Sequence, residues 1–391
     1  DGSIVTTNLG SNNVRIGLSA GVNLASGGTR NTLVGDYAGE DITTGDYNVG
    51  YGYQALTQLA TGERNTALGY QSLRSLTTTG ASYNVAVGFA AGELITSSQF
   101  NTLVGSLSGD SLSTSVGYNT ALGYLALSAD TLGQESVAIG AQALATQNFT
   151  GAVAAYNTAV GVSAGRLVTT GVSNTLIGGA AGDALQDADY NTAVGMNALT
   201  SDTLGSSSTA IGFEALKSQN HTEATAVYGT AVGYQAGKNV SDGLRNTLIG
   251  AFAGLNQTDT DDNTAVGYAA LNTNVNGSAN TAMGHKALYT MNPASDLETH
   301  NVAVGYNAGH GVTTGSQNTL IGSLAGDALT SGAGNTAVGY LALSTEDAHG
   351  YNTAVGHSAL SVYNAGATGN AVSVGYYSGF ATTTAVDCTF L

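Results

Sequence analysis

Asn263-Thr264-Ala265-Val266-Gly267-Tyr268-Ala269-Ala270-Leu271 returns almost unchanged as Asn335-Thr336-Ala337-Val338-Gly339-Tyr340-Leu341-Ala342-Leu343. Self-similarity at a short fixed period overrides any domain count taken from length. Working outward from these two stretches, the unit Asn-Thr-(Ala/Leu)-(Val/Ile)-Gly-x-x-Ala-(Gly/Leu) starts at Asn13, Asn31, Asn48, Asn65, Asn84, Asn101 and Asn119. It continues from Ser136, Asn157, Asn174, Asn191, Ser208, Gly229, Asn246, Asn263 and Asn280. The last five starts are Asn301, Asn318, Asn335, Asn352 and Ala371. The fifth position is always glycine, the eighth always Ala or Ser, and the commonest spacing is 17 residues.

A longer period lies on top. The ninth position cycles Gly, Gly, Leu, Leu, as in Gly21, Gly39, Leu56 and Leu73. The third position is Leu only at Leu33, Leu103, Leu176, Leu248 and Leu320, and every fourth connector is longer. The module is therefore four units, about 72 residues, consistent with duplication of a block.

Thr, Val and Ile at positions two and four are β-branched and suit a pleated strand. A recurrent glycine at position five asks for positive φ or close approach of a neighbour. The period is too short for helical repeats or propeller blades. The expectation is an all-β, parallel β-solenoid (β-roll) of about 21 coils of about 17 residues, rod-shaped and about 95 Å long at roughly 4.8 Å per coil. Asn at each unit start is expected to stack on the next, with amides hydrogen-bonding up the ladder. Residues 13–379 form the repeat region, 1–12 a lead-in and 380–391 a tail.

Apart from Arg15, neither strand face carries charge. That predicts a sheet covered on both sides, with the small Ala and Gly side chains letting copies approach about an axis in a homotrimer.

Composition narrows function. Among 391 residues there are 56 glycines, one proline, no tryptophan and 9% charged residues, which excludes a charge-rich disordered chain and collagen. With 26 acids against 9 Lys and Arg the chain cannot assemble a phosphate-binding surface, so nucleic acid is not an expected partner. No apolar run is long enough to span a membrane as a helix, and no membrane insertion is expected. Cys388 stands alone, so no internal disulfide can form. A start at Asp1 suggests processing or a segment of a longer protein.

The repeats resemble the head repeats of trimeric autotransporter adhesins and, more nearly, the Asn-Thr-Ala-Val-Gly-Tyr-x-Ala-Leu repeats of phage tail-fibre and other virion-fibre proteins. The resemblance spans 13–379 and implies a trimeric, left-handed parallel β-roll serving as an extracellular stalk or attachment fibre. The membrane-anchoring barrel and the self-cleaving chaperone domain of those families are absent from this sequence.

Chemistry is sparse. Asp259, Asp261 and Asn263 open like a calcium loop, but Thr264 and Ala270 occupy its glycine and glutamate places. Gly178 to Asp183 only faintly resembles a calcium nonapeptide. Asp110, Asp183 and Asp327 share one repeat position at least four coils apart, and His285 and His357 share another four coils apart, too far to share an ion. No catalytic, metal or cofactor residue is assigned, the acids being placed in connectors, and no enzyme activity is expected. Tyr recurs at position six and just before the unit, which reads as a packing ladder or a glycan-binding strip. Asn148, Asn220, Asn239, Asn256 and Asn276 are sequence-level glycosylation acceptors.

The expected role is a structural extracellular fibre presenting or mediating attachment, with other copies and a cell-surface glycan or receptor as partners. A self-polymerising filament subunit is the alternative, and an ice- or glycan-binding solenoid stands behind both. Connectors Gln147–Tyr156, Ser218–Tyr228 and Tyr289–His300 are expected to emerge on one side and to carry any contacts.

Overall fold

A computed structural model describes residues 12–113, 117–364, 369–384 and 386–391. The lead-in 1–12 thus lies outside the described residues, except for Asn12. The chain is a parallel β-solenoid of about 22 turns of about 17 residues, with no helix among the described residues. It divides into two compact units, Asp1–Asn191 and Thr192–Leu391. Among the described residues, the first carries ten short strands of the main ladder, from Val14–Ile16 to Thr175–Ile177. The second carries twelve, from Thr192–Val194 to Thr389–Phe390. The last of these pairs in parallel with Val372–Val374, so the ladder reaches one turn beyond residue 379.

Register follows the repeat without slip. Thr247, Leu248 and Ile249 pair with Thr264, Ala265 and Val266, which in turn pair with Thr281, Ala282 and Met283. Side chains alternate across a strand, and here the third position is the inward one. Leu33, Ala67, Leu248 and Ala265 have no exposure at all. Positions two and four point out and are half-buried or exposed. This corrects the expectation of a strand buried on both faces: within one chain the small-residue face is the coil's own core, not a surface for another copy.

That core explains the four-unit module. At the ninth-position glycines that flank a third-position Leu, that leucine fills the room they leave. A Cβ on Gly237 would lie 2.7 Å from Leu248 Cδ1, and one on Gly254 would lie 2.7 Å from Leu248 Cδ2. Where the ninth position is Leu, as at Leu271 and Leu288, that side chain fills the core and the third position shrinks to Ala265 or Ala282. Two glycines flanking one leucine, then two leucines over alanines, is a packing solution at near-crystalline density.

The turn after each strand uses left-handed backbone even at non-glycine residues. Ala269 (φ 53°) and Leu271 (φ 50°) are examples. Such residues cost roughly 1–2 kcal/mol each. Their amides are used across coils: Ala269 N–H donates to Ala251 O at 2.9 Å and Leu271 N–H to Ala287 O at 3.0 Å. The intervening Ala270 closes back on Gly267 O. Coil-to-coil hydrogen bonding thus continues around the turn and offsets the strain.

The asparagine ladder is buried, with a geometry of its own. The Oδ1 accepts the backbone N–H of the residue that starts the next unit: Asn246 from Asn263 at 3.0 Å, Asn263 from Asn280 at 3.0 Å, and Asn119 from Ser136 at 3.0 Å. Asn263 Nδ2 donates to Gly277 O at 2.9 Å. The carboxamide therefore pins strand start to connector, and amide-to-amide bonds such as Asn280 Nδ2 to Asn263 Oδ1 are secondary, at 3.2 Å.

Longer connectors add a second, two-stranded sheet once per module. Gly133–Gln134 pairs with Val153–Ala154, Gly205–Ser206 with Thr225–Ala226, and Gly277–Ser278 with Leu297–Glu298.

Candidate interaction face

The outward side of the ladder is the most continuous surface feature of either unit. Position two contributes Thr or Val, and position four contributes Val, Ile, Leu, Met or Tyr, with no charge in either row. In the first unit Val14, Ile16, Leu68 and Leu122 are exposed; in the second, Ile211, Ile249, Met283 and Ile321. Ile249 is 39% exposed, well above what an isolated core residue shows. Parallel sheets are ordinarily covered on both faces, so this one has an unpaired side.

Aromatic columns flank it. At position six, Tyr53, Tyr70 and Phe89 stack with centroids 5.3 and 5.2 Å apart. Before the unit, Tyr83, Phe100 and Tyr118 stack at 5.5 and 5.0 Å. Arg64 lies over the rings of both Tyr47 and Tyr83. His285, a residue considered for metal binding, is a member of such a column, 5.2 Å from Tyr268 and 5.1 Å from Tyr306. His357 sits likewise between Tyr340 and Tyr376. In the stacked columns, ring faces point along the column and are covered by neighbours, leaving edges outward. Column packing of this kind accounts for the regular tyrosines.

The calcium-like loop is taken up by other contacts. Asn263 belongs to the buried ladder, while Asp261 and Asp262 receive Arg245 at 3.2 and 2.7 Å. Asp183 pairs with Arg166 at 3.0 Å. Asp110 and Asp327 have no such cation among the described residues. Burial, with Glu93 adding repulsion, pushes the Asp110 carboxyl up to about 6, and burial raises Asp327 as well.

Not all acids lie in connectors. Position twelve of the unit is a core position, occupied by Leu112, Val168 or Leu185, yet Asp130, Asp202, Asn274 and Glu346 stand there at module spacing, fully buried. Each accepts the N–H of the residue three further on, as Asp130 does from Gly133 at 2.8 Å and Glu346 from His349 at 2.9 Å. Nor does the connector begin at Gln147, whose buried side chain reaches Asp130 Oδ2 at 2.6 Å. Gln219 repeats this on Asp202 at 2.6 Å. Aligning the units at position twelve would have revealed these residues; reading only the first nine positions did not. Glu346, Asp347 and His349 are the one group among the described residues to bring three metal-binding side chains within 4.8 Å. The same turn contact accounts for Glu346 and His349.

One buried site is incomplete. Asn157 donates Nδ2 to Gln147 Oε1 at 2.9 Å and to Gly171 O at 2.7 Å. In the next module its counterpart is Gly229, and Gln219 Oε1 is buried with no hydrogen-bond partner among the described residues. A Cβ on Gly229 would meet nothing closer than 3.5 Å. Gly229→Asn should therefore stabilise the protein by about 1–2 kcal/mol, from restored hydrogen bonds and a less flexible unfolded chain. An unchanged or lowered denaturation midpoint would contradict this.

The pH dependence follows from the buried groups. Asp110, Asp130, Asp327 and His221 all have raised values; burial lifts the three acids, while at His221 burial is overcome by Asp202. Each binds protons more readily folded than unfolded, so its stabilisation is lost as pH rises through the folded value. Lysines 217 and 238 hold Glu214 down at about 2, and Arg245 lowers Asp262; those contributions are lost only as pH falls below about 4. His310, lowered by burial, loses stability below neutrality. The balance predicts maximum stability at about pH 5, checked by denaturant midpoints across the pH range. A maximum above neutrality would contradict it.

No protein-family model matches the chain, and no curated protein matches it in sequence.

Proposed function

We propose that this chain is a structural protein, a repetitive segment of an extracellular fibre that assembles with copies of itself. The observation that carries the reading is the uncharged outward face, with Thr or Val in one row, mostly Val, Ile or Leu in the other, and aromatic columns beside it. Exposed apolar patches of this continuity serve as interfaces in soluble proteins, and a single chain leaves this one wet. Three copies meeting along it would cover it and bring the β-branched rows into contact. A trimer is also what the resemblance to tail-fibre and adhesin-head repeats implies. The connectors, one per module, are then the places for contacts with a cell-surface receptor or glycan.

Ile249→Lys tests this at the centre of the face in the second unit. The side chain is already partly exposed, so the fold should be kept, with an unchanged circular dichroism spectrum. A lysine buried between copies would be strongly unfavourable, so the solution mass should fall to that of one chain. Assembly that survives the substitution would place the interface elsewhere.

A further inference from the structure

We propose that the connector 220–228 is a pH-responsive latch, clamped to the solenoid core by the buried His221–Asp202 pair and released when His221 gives up its proton. The latch is independent of the fibre reading. His221 is 5% exposed and Asp202 fully buried. Asp202 Oδ1 accepts the His221 backbone N–H at 3.0 Å, and its Oδ2 lies 3.7 Å from His221 Nδ1. That separation is too long for a hydrogen bond and close for two charges. On the other side of the ring, Nε2 faces Asp242 O at 3.3 Å.

Every titratable group facing the imidazole is acidic. Asp202 lies in the preceding turn, Asp242 in the following one, and Glu223 lines the same cleft from the connector itself. The site therefore favours imidazolium, and burial works against it; Asp202 prevails and His221 is held above its ordinary value. For Asp202, burial is outweighed by the nearby His221 imidazole, by the Gln219 amide and by backbone N–H donors, and its carboxyl stays below the usual range. Once His221 is neutral, a buried carboxylate keeps its amide donors but loses its counter-charge, a costly arrangement.

The sister connector provides the internal control. There Phe149 takes the place of His221 above Asp130, and Asp130, lacking an imidazole, is raised by burial instead of lowered. One connector thus carries a charge-dependent clamp and the other an apolar plug on the same scaffold. By the sign of the shifts, the clamp is complete between the ordinary values of Asp and His, about 4 and about 6.5, and loosens as pH rises through the folded value of His221.

The test is hydrogen–deuterium exchange on the full chain at about pH 6 and about pH 9, with each peptide corrected for its intrinsic rate. Protection of 220–228 should fall more than that of 148–156 across this range, on the order of tenfold for a locally opened segment. In His221→Phe the two connectors should respond alike. Parallel loss of protection in the wild-type chain would overturn the proposal, as would a His221→Phe variant that keeps the wild-type difference. The wild-type comparison decides alone if that variant does not fold.

Discussion

Leu248→Ala should lower stability by roughly 2–5 kcal/mol, the range for truncating a fully buried leucine that leaves a cavity. A second substitution, at a neighbouring glycine, reveals why that leucine is there. Leu248 fills the space left by Gly237 and Gly254, where an added Cβ would stand 2.7 Å from a Leu248 methyl in each case. Gly254→Ala alone should therefore destabilise by crowding. In the Leu248→Ala background the same change should cost less, because the crowding is gone. The left-handed backbone at Gly254 (φ 57°), which leucine also adopts at Leu271 (φ 50°), costs a side chain roughly 1–2 kcal/mol in either background, so that strain cancels from the coupling. A coupling energy of roughly 1–3 kcal/mol between the two sites is expected, read from a double-mutant cycle in denaturant. Simple additivity would mean that the glycine–leucine alternation is not a packing device.

Gly195→Val should be at least as damaging and should not be rescuable nearby. Gly195 has φ 134°, where side chains are strained, and a Cβ there would sit 2.5 Å from Gly212 O and 2.6 Å from Gly212 C. Backbone in the adjacent coil cannot step aside without breaking the ladder on either side. The expected result is a loss exceeding about 4 kcal/mol, the exceptional range for one substitution, or failure to accumulate folded protein. Exchange protection should collapse first in the neighbouring turns, since a repeat contacts only its neighbours. A folded Gly195→Val variant with wild-type protection would refute close approach as the reason for glycine at the fifth position.

Much of this architecture was legible in the residues because it is periodic. Invariant glycine, recurrent asparagine and β-branched pairs each imply one local geometry, and repetition removes the ambiguity that a single copy would leave. Which face is the core was less legible. Thr-Ala-Val-Gly is small and apolar throughout, and amino-acid type alone does not separate an inward alanine from an outward valine. The answer lies in volume: one coil of about 17 residues encloses space only for Ala, or for Leu against Gly. The buried polar column was missed for a different reason. Asp130, Asp202 and Glu346 fall outside the nine-residue motif, and acids between repeats look like solvated loop. Only the coil geometry brings position twelve under the next turn, where Gln147 or Gln219 meets it.

An interface between copies along the uncharged Thr and Val/Ile face would join these features into one function. Sedimentation equilibrium of the unmodified chain, over a wide concentration range at about pH 7, tests it most directly. The expected result is a single species of three chain masses that does not dissociate on dilution, as when a long apolar face is buried. A monodisperse single chain at every concentration would contradict it.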